Sequence, residues 1–336
     1  MYFNMKEWSQ EIIDAKDRRF LPVLYFPCLK LTDYKVIDTV TDAKKMAEVM
    51  VATIREYPSI IGAMTGMDLT VDAEAFSAPV RFKKNDVPCL SGTLVDTMED
   101  AEKLQVPDPH AGRLDVHYDA VRETAKEITD RPIFGGQLGP FSLAANLMPL
   151  MDALMNTIHA PALMHAVLEK ATEHLINRAL AYKEAGANGV LLAEPTAGLL
   201  SPECCEEFSS QYVKRIVDAV QDDGFFVILH NCGNVLDMCE SMYNTGAKGF
   251  HFGNSVDMAE ICRRMPKDVL VFGNIDPAEI FSLAPDVLRE KCDKQLIDTK
   301  DFPNFVFSSG CDIPVITSLE NIRVMTDSLE AYNAKL

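Results

Sequence analysis

Phe225-Phe-Val-Ile-Leu-His-Asn-Cys-Gly-Asn234 is the stretch that most constrains what this chain can fold into. Five apolar residues, mostly β-branched or aromatic, lead into His230, then Cys232, then a Gly-Asn turn. Such a run reads as a buried strand. Side chains alternate along a strand, so positions 230 and 232 face the same side. Phe305-Val-Phe-Ser-Ser-Gly-Cys-Asp-Ile-Pro314 repeats the design and delivers Cys311 at the end of another short buried run. His-x-Cys alone is equally a buried structural pair. With a second cysteine at a matching strand end, one imidazole and two thiols make a borderline-soft donor set suited to zinc.

Similar apolar runs recur along the chain, at 21–26, 60–67, 132–138, 189–195, 248–254 and 269–276. Helical patterns fall between them, at 41–56 with Asp42 near the start, 115–129, up to Glu184, 202–221, 236–245, 258–265, up to Thr299, and 319–334. About eight strand–helix alternations without a long linker predict one (β/α)8 barrel domain over 1–336 rather than an open doubly wound sheet. Residues 1–20 read as an N-terminal helical extension. Residues 71–112 read as an excursion from the barrel, with short strands and a charged, proline-containing segment.

In such barrels the active site lies at the C-terminal ends of the strands. Gln137, Glu194, His230, Cys232, Asn254, Asn274 and Cys311 all fall at predicted strand ends. Glu194 is a fourth metal ligand, a ligand's partner or a substrate-orienting group. Asp68 is a mouth carboxylate or a helix cap, and His251 lines the pocket or supports a ligand. Tyr25, Asp68, Gln137, Asn254 and Asn274 are the expected substrate contacts. Tyr25, Met64, Met67, Phe141 and Phe252 either line an apolar pocket or belong to the ordinary core. Cys204, Cys205, Cys239, Cys262 and Cys292 fall on helices and read as core, while His165 and His174 read as a solvated or packing surface.

A formal charge of −18 argues against nucleic-acid and anionic-membrane partners. No apolar run reaches the roughly 18 to 20 residues that span a bilayer. Nine cysteines, an odd number, with no secretory pattern at the start, predict a reduced cytoplasmic protein. No G-x-G-x-x-G, P-loop or H-E-x-x-H occurs. Asp115-Val-His117 lacks the glycine of a cobalamin-ligating motif, with Ala120 in its place, so any corrinoid must arrive on another protein.

His230-Asn-Cys-Gly-Asn234, Phe272-Gly-Asn-Ile-Asp-Pro277, Gly310-Cys-Asp-Ile-Pro314 with Leu319-Glu-Asn321, and Gly136-Gln-Leu-Gly-Pro-Phe141 together resemble the uroporphyrinogen decarboxylase superfamily. Met67-Asp-Leu-Thr-Val-Asp-Ala-Glu-Ala75 and Ala193-Glu-Pro-Thr-Ala197 are similar to its methylcobalamin:coenzyme M methyltransferase branch. The decarboxylases carry an N-terminal arginine pair for their tetrapyrrole, where this chain reads Tyr25-Phe-Pro-Cys-Leu-Lys30. They also carry Gly-His-Gly where this chain has Gly310-Cys-Asp312, although Asp68 matches their catalytic aspartate.

The methyltransferase resemblance implies catalytic Zn²⁺ on His230, Cys232 and Cys311, with one position left for substrate. It implies methyl transfer between a small molecule (a thiol acceptor, or a methyl ether or methylthiol donor) and methylcobalamin or cob(I)alamin on a separate corrinoid protein. A tetrapyrrole decarboxylase and a non-catalytic zinc-stabilised scaffold are the alternatives. The direction of transfer and the choice between monomer and homodimer stay open.

Overall fold

Eight short parallel strands carry the architecture in the computed structural model, which describes residues 3–336. They are β1 (Arg19–Phe20), β2 (Ala63–Met64), β3 (Ile133–Leu138), β4 (Gly189–Ala193), β5 (Phe226–Asn231), β6 (Gly249–Phe252), β7 (Leu270–Ile275) and β8 (Phe305–Ser309). Their hydrogen-bonding order is β1-β8-β7-β6-β5-β4-β3-β2. Phe20 pairs in parallel with Ile60, just ahead of β2, and the Ile61 N–H donates to the Phe20 carbonyl at 3.0 Å. That bridge closes the sheet into the expected (β/α)8 barrel and leaves no free edge.

The principal helices are α1 (Met5–Asp14), α2 (Ala43–Glu56), α3 (Leu114–Glu127), α4 (Pro140–Leu147), α5 (Pro161–Glu184), α6 (Gln211–Val220), α7 (Met258–Arg264), α8 (Pro285–Asp298) and α9 (Leu319–Asn333). Every residue of β3, β4 and β5 is buried, because helices cover the outer face and side chains fill the inner one. This is why those strands read as mostly apolar runs. Helix α2 starts where its sequence says it should: the Asp42 carboxylate accepts from the Lys44 and Lys45 N–H groups at 3.0 and 3.2 Å. Its buried residues Met46, Val49, Met50, Thr53 and Ile54 follow helical spacing.

The first two strands are far shorter than the runs 21–26 and 60–67. Pro22 has no N–H to give the ladder. Past Phe20 the chain is held by Leu21 N–H to the Phe307 carbonyl and by Val23 N–H to Ser309 Oγ, then coils into a 3-10 helix over Phe26–Leu31. Because β1 starts at Arg19, residues 19 and 20 belong to the barrel rather than to the N-terminal extension. The amphipathic start is helical over Met5–Asp14, and its first two residues lie outside the described part. The stretch 71–112 holds two of the expected short strands, Val80–Arg81 and Cys89–Leu90, paired as a hairpin. It also holds a helix over Met98–Lys103 and most of one over Thr70–Ala75. No helix among the described residues is long and apolar enough to cross a membrane.

Candidate metal centre at the barrel mouth

His230 is the penultimate residue of β5, and Cys232 follows the last. Cys311 comes two residues after β8 ends. Strand curvature brings these ends together: one donor atom from each of His230, Cys232 and Cys311 lies within 4.8 Å of the others. His230 is buried and both cysteines are half-buried, so the sulfurs sit where the barrel opens. The backbone beside Cys232 is tightly packed. A Cβ on Gly253 would stand 2.4 Å from the Cys232 Cα, so only glycine lets the β6 exit pass this close.

The donor set and spacing fit a tetrahedral metal. His230 Nε2 lies 3.5 Å from Cys311 Sγ. Zn–N and Zn–S bonds of about 2.0 and 2.3 Å at a tetrahedral angle place N and S about 3.5 Å apart. The two sulfurs also divide their charge. The adjoining Cys311 thiol, and then the His230 ring beside it, push the Cys232 thiol down to about 4, against the opposing effect of burial. Cys311 is pushed up by the neighbouring Cys232 and then by burial. Two thiolates this close repel without a cation between them.

Behind the ligand runs a hydrogen-bonded chain. His230 and His251 are register partners on β5 and β6, and their Nδ1 atoms lie 2.7 Å apart. His251 Nε2 is 3.0 Å from Ser308 Oγ on β8, and that hydroxyl donates to the Leu21 carbonyl at 2.6 Å. β6 and β8 are not neighbours, so this chain crosses the barrel interior. His251 therefore lies directly behind His230. Burial, and then the nearby His230, push it well below the ordinary histidine range, so it is neutral at pH 7.

Glu194 is not in the three-atom group. Its carboxylate accepts from the Phe141 and Ser142 N–H groups at 2.8 and 2.9 Å and from Ser209 Oγ at 2.8 Å. It therefore caps the N-terminus of α4, where unpaired N–H groups and the helix dipole favour an anion. A Cβ on Gly139 would stand 2.4 Å from a Glu194 carboxylate oxygen, which explains the glycine in Gly139-Pro-Phe. Glu194→Gln should keep the wild-type zinc content while losing about 2 kcal/mol of stability, since an amide N–H would face those donors. Zinc analysis and thermal unfolding check both halves, and a metal-free variant would restore Glu194 as a ligand.

The five expected substrate contacts separate. Asp68 is buried, accepts from the Thr70 N–H and Oγ1 at 3.1 and 2.6 Å, and pairs with Arg113. The cap position of the Thr70–Ala75 helix is Leu69, without a side-chain cap, so Asp68 turns onto Thr70 and the Arg113 guanidinium, which also reaches Glu74 and the Val40 carbonyl. Gln137 turns outward to the Leu175 carbonyl on α5 at 3.3 Å, so it does not reach the mouth. Asn274 donates to the Gly253 and Val256 carbonyls, both at 2.8 Å, and accepts from Gln295 on α8, pinning the β6 exit loop. Tyr25 is buried with its ring against Gly66 and Phe26, and its hydroxyl has no partner. Asn254 is exposed, and its backbone N lies 2.9 Å from where a Gly310 Cβ would stand, one residue from Cys311.

Met64, Met67, Phe141 and Phe252 are all core residues. Cys205, Cys239, Cys262 and Cys292 are buried, as expected of core thiols, while Cys204 is half-buried. Of the two readings for these helix histidines, the packing one fits His174, fully buried with its Nε2 3.1 Å from Asp72, whereas His165 is part-exposed between Tyr212 and Glu207. Ser308 escaped sequence reasoning. The signal was there, since Ser308-Ser309 are polar residues inside a buried strand.

The profile of the family described as uroporphyrinogen decarboxylase (URO-D) matches residues 27–332. The methylcobamide:CoM methyltransferase MtbA of Methanosarcina acetivorans is 28% identical over 87% of this chain and 85% of its own. The uroporphyrinogen decarboxylase of Pseudoalteromonas atlantica is 26% identical over 93% of this chain and 90% of its own. Among solved structures, a methyltransferase from Methanosarcina mazei superposes with a TM-score of 0.87 at 22% identity, covering 98% of this chain and 99% of its own.

Proposed function

The chain belongs to the uroporphyrinogen decarboxylase family, and on that premise we propose that it is a zinc-dependent methyltransferase working with a separate corrinoid protein. The observation that carries this reading is the convergence of His230, Cys232 and Cys311 at the mouth. Three protein donors suit a catalytic metal with one open position better than a closed structural one. This arrangement disfavours the inert scaffold.

A zinc held there would supply positive charge, keeping a substrate thiol ionised near neutral pH or polarising the oxygen or sulfur of a methyl donor. The chain's own residues do the rest. His230 and the two cysteines would hold the metal at the barrel rim, where the sulfurs are half-buried and open to an incoming substrate. The closed barrel would hold these three side chains in fixed positions, which favours the alignment that methyl transfer needs. Asn254, exposed beside Gly310, remains the polar group for orienting substrate, and methylcobalamin or cob(I)alamin would come on the partner protein. The acidic composition suits a cytoplasmic enzyme whose partners are neither nucleic acid nor membrane.

Decarboxylation of a polyanionic tetrapyrrole is disfavoured by the stretch 25–30. It offers no guanidinium, and the ammonium of Lys30 is tied to the Ile316 and Thr317 carbonyls. The Asp68 carboxylate is likewise engaged, with Arg113 and Thr70. The test is to supply the zinc-loaded protein with methylcobalamin and a panel of thiols, and with cob(I)alamin and methyl ethers or methylthiols. Zinc-dependent demethylation or methylation of cobalamin supports the reading. Turnover of uroporphyrinogen by metal-free protein contradicts it.

A further inference from the structure

The hydrogen-bonded chain behind His230 has a direction that can be read from its far end. The Leu21 carbonyl can only accept, so the single hydroxyl proton of Ser308 must point at it. Ser308 Oγ is then an acceptor toward His251, whose Nε2 must carry the proton in the 3.0 Å contact. A neutral imidazole has one N–H, so His251 Nδ1 is left with a lone pair. It can be satisfied only by a proton on His230 Nδ1, 2.7 Å away. With its proton on Nδ1, His230 turns the lone pair of Nε2 outward, to the side where Cys311 Sγ lies 3.5 Å off.

We propose that His251 and Ser308 are positioning residues that lock His230 in the Nδ1–H tautomer, so that Nε2 is ready to bind metal before any metal arrives. This rests on the zinc reading above. The chain differs from the common carboxylate or carbonyl partner of a metal-bound histidine: a second, neutral imidazole relays the influence of a backbone carbonyl across the barrel. An imidazole acceptor adds no charge to the site, so the negative charge near the metal stays on the two sulfurs. Strand register makes the relay possible, because positions 230 and 251 face each other on β5 and β6.

The test uses full-length wild type, His251→Phe, His251→Asn and Ser308→Ala, with thermal unfolding of each metal-free protein as the folding control. Zinc affinity is measured by competition with a chromophoric chelator, and nitrogen NMR of the metal-free imidazoles locates the His230 proton. His251→Phe removes the acceptor and is expected to weaken zinc binding about 10- to 100-fold. His251→Asn keeps an acceptor for the His230 Nδ1–H, although its shorter amide stops short of Ser308, so its affinity is expected within about fivefold of wild type, given that net hydrogen-bond differences are near 1 kcal/mol.

Ser308→Ala, the smallest change, is expected to leave the fold intact and give a mixture of His230 tautomers. If His251→Phe and Ser308→Ala both bind zinc as wild type does, or if His251→Asn fails as badly as His251→Phe, the positioning role is overturned while the zinc site stands. If wild type itself binds no zinc, the metal reading falls and this inference falls with it.

Discussion

Cys311→Ala is expected to give a folded barrel that no longer retains zinc and no longer transfers methyl groups. Cys311 lies beyond the end of β8 and is half-buried, so truncating its thiol leaves the buried strand Phe305–Ser309 intact. Unfolding temperature should therefore stay close to wild type. Metal retention should not. Structural zinc sites bind with about 10–16 kcal/mol shared among four ligands, so one lost ligand is worth roughly 3 kcal/mol, more than 100-fold in affinity. The remaining imidazole and thiolate would lose metal to dialysis. Elemental analysis, circular dichroism and a methylcobalamin assay on one preparation read all three outcomes. Normal turnover by the variant would remove Cys311 from the chemistry.

The second large effect lies away from the metal. Asp72 is fully buried, pairs with Arg178, contacts His174 Nε2 at 3.1 Å and accepts from the Leu138 N–H at 3.1 Å. Arg178 in turn donates to the Gly136 carbonyl at 2.9 Å, so the network ties the Thr70–Ala75 helix to β3 and α5. Asp72→Ala strands a guanidinium in the interior, which costs about 3–5 kcal/mol.

The same carboxyl predicts an acid limb. Burial would raise its pKa, but the Arg178 charge and the His174 hydrogen bond outweigh that and bring it from 3.8 to about 2. A depressed pKa contributes stability that is complete above the unfolded value. That share is lost as pH falls from about 4 through about 2. Denaturant midpoints at pH 7 and pH 3 for wild type and variant check it, and a loss below about 1 kcal/mol at pH 7 would mean the network relaxes around the missing charge.

The barrel was legible wherever its strands are buried on both faces. Residues 189–193, 226–229 and 270–272 are apolar runs because helices cover them outside. The first two strands misled for the opposite reason. In 21–26 the apolar residues serve loop packing and a 3-10 turn, and apolar content does not reveal where hydrogen-bond pairing stops.

The convergence of His230, Cys232 and Cys311 could be read because both halves of the cluster lie at strand ends. Sequence order alone could not say that β5 and β8 meet across the mouth, but a barrel requires strand ends to converge. The polar residues around it were harder. Glu194, Gln137 and Asn274 share the strand-end position of His230, yet each bonds to something else: the α4 N-terminus, the Leu175 carbonyl, and the β6 exit loop with Gln295. Which way a side chain turns at a strand end depends on helices far away in sequence. The Asp72–Arg178 pair, 106 positions apart (178 − 72), was illegible for the same reason.

Metal content decides the central claim most directly. The measurement is zinc per chain in protein purified without added metal or chelator, alongside Cys232→Ser prepared identically. About one zinc per chain in wild type and almost none in the variant is the predicted result, as expected of a three-ligand site that loses a thiolate. A wild type that carries no zinc, and takes none up when it is offered, would contradict the methyltransferase reading and return the chain to its decarboxylase relatives.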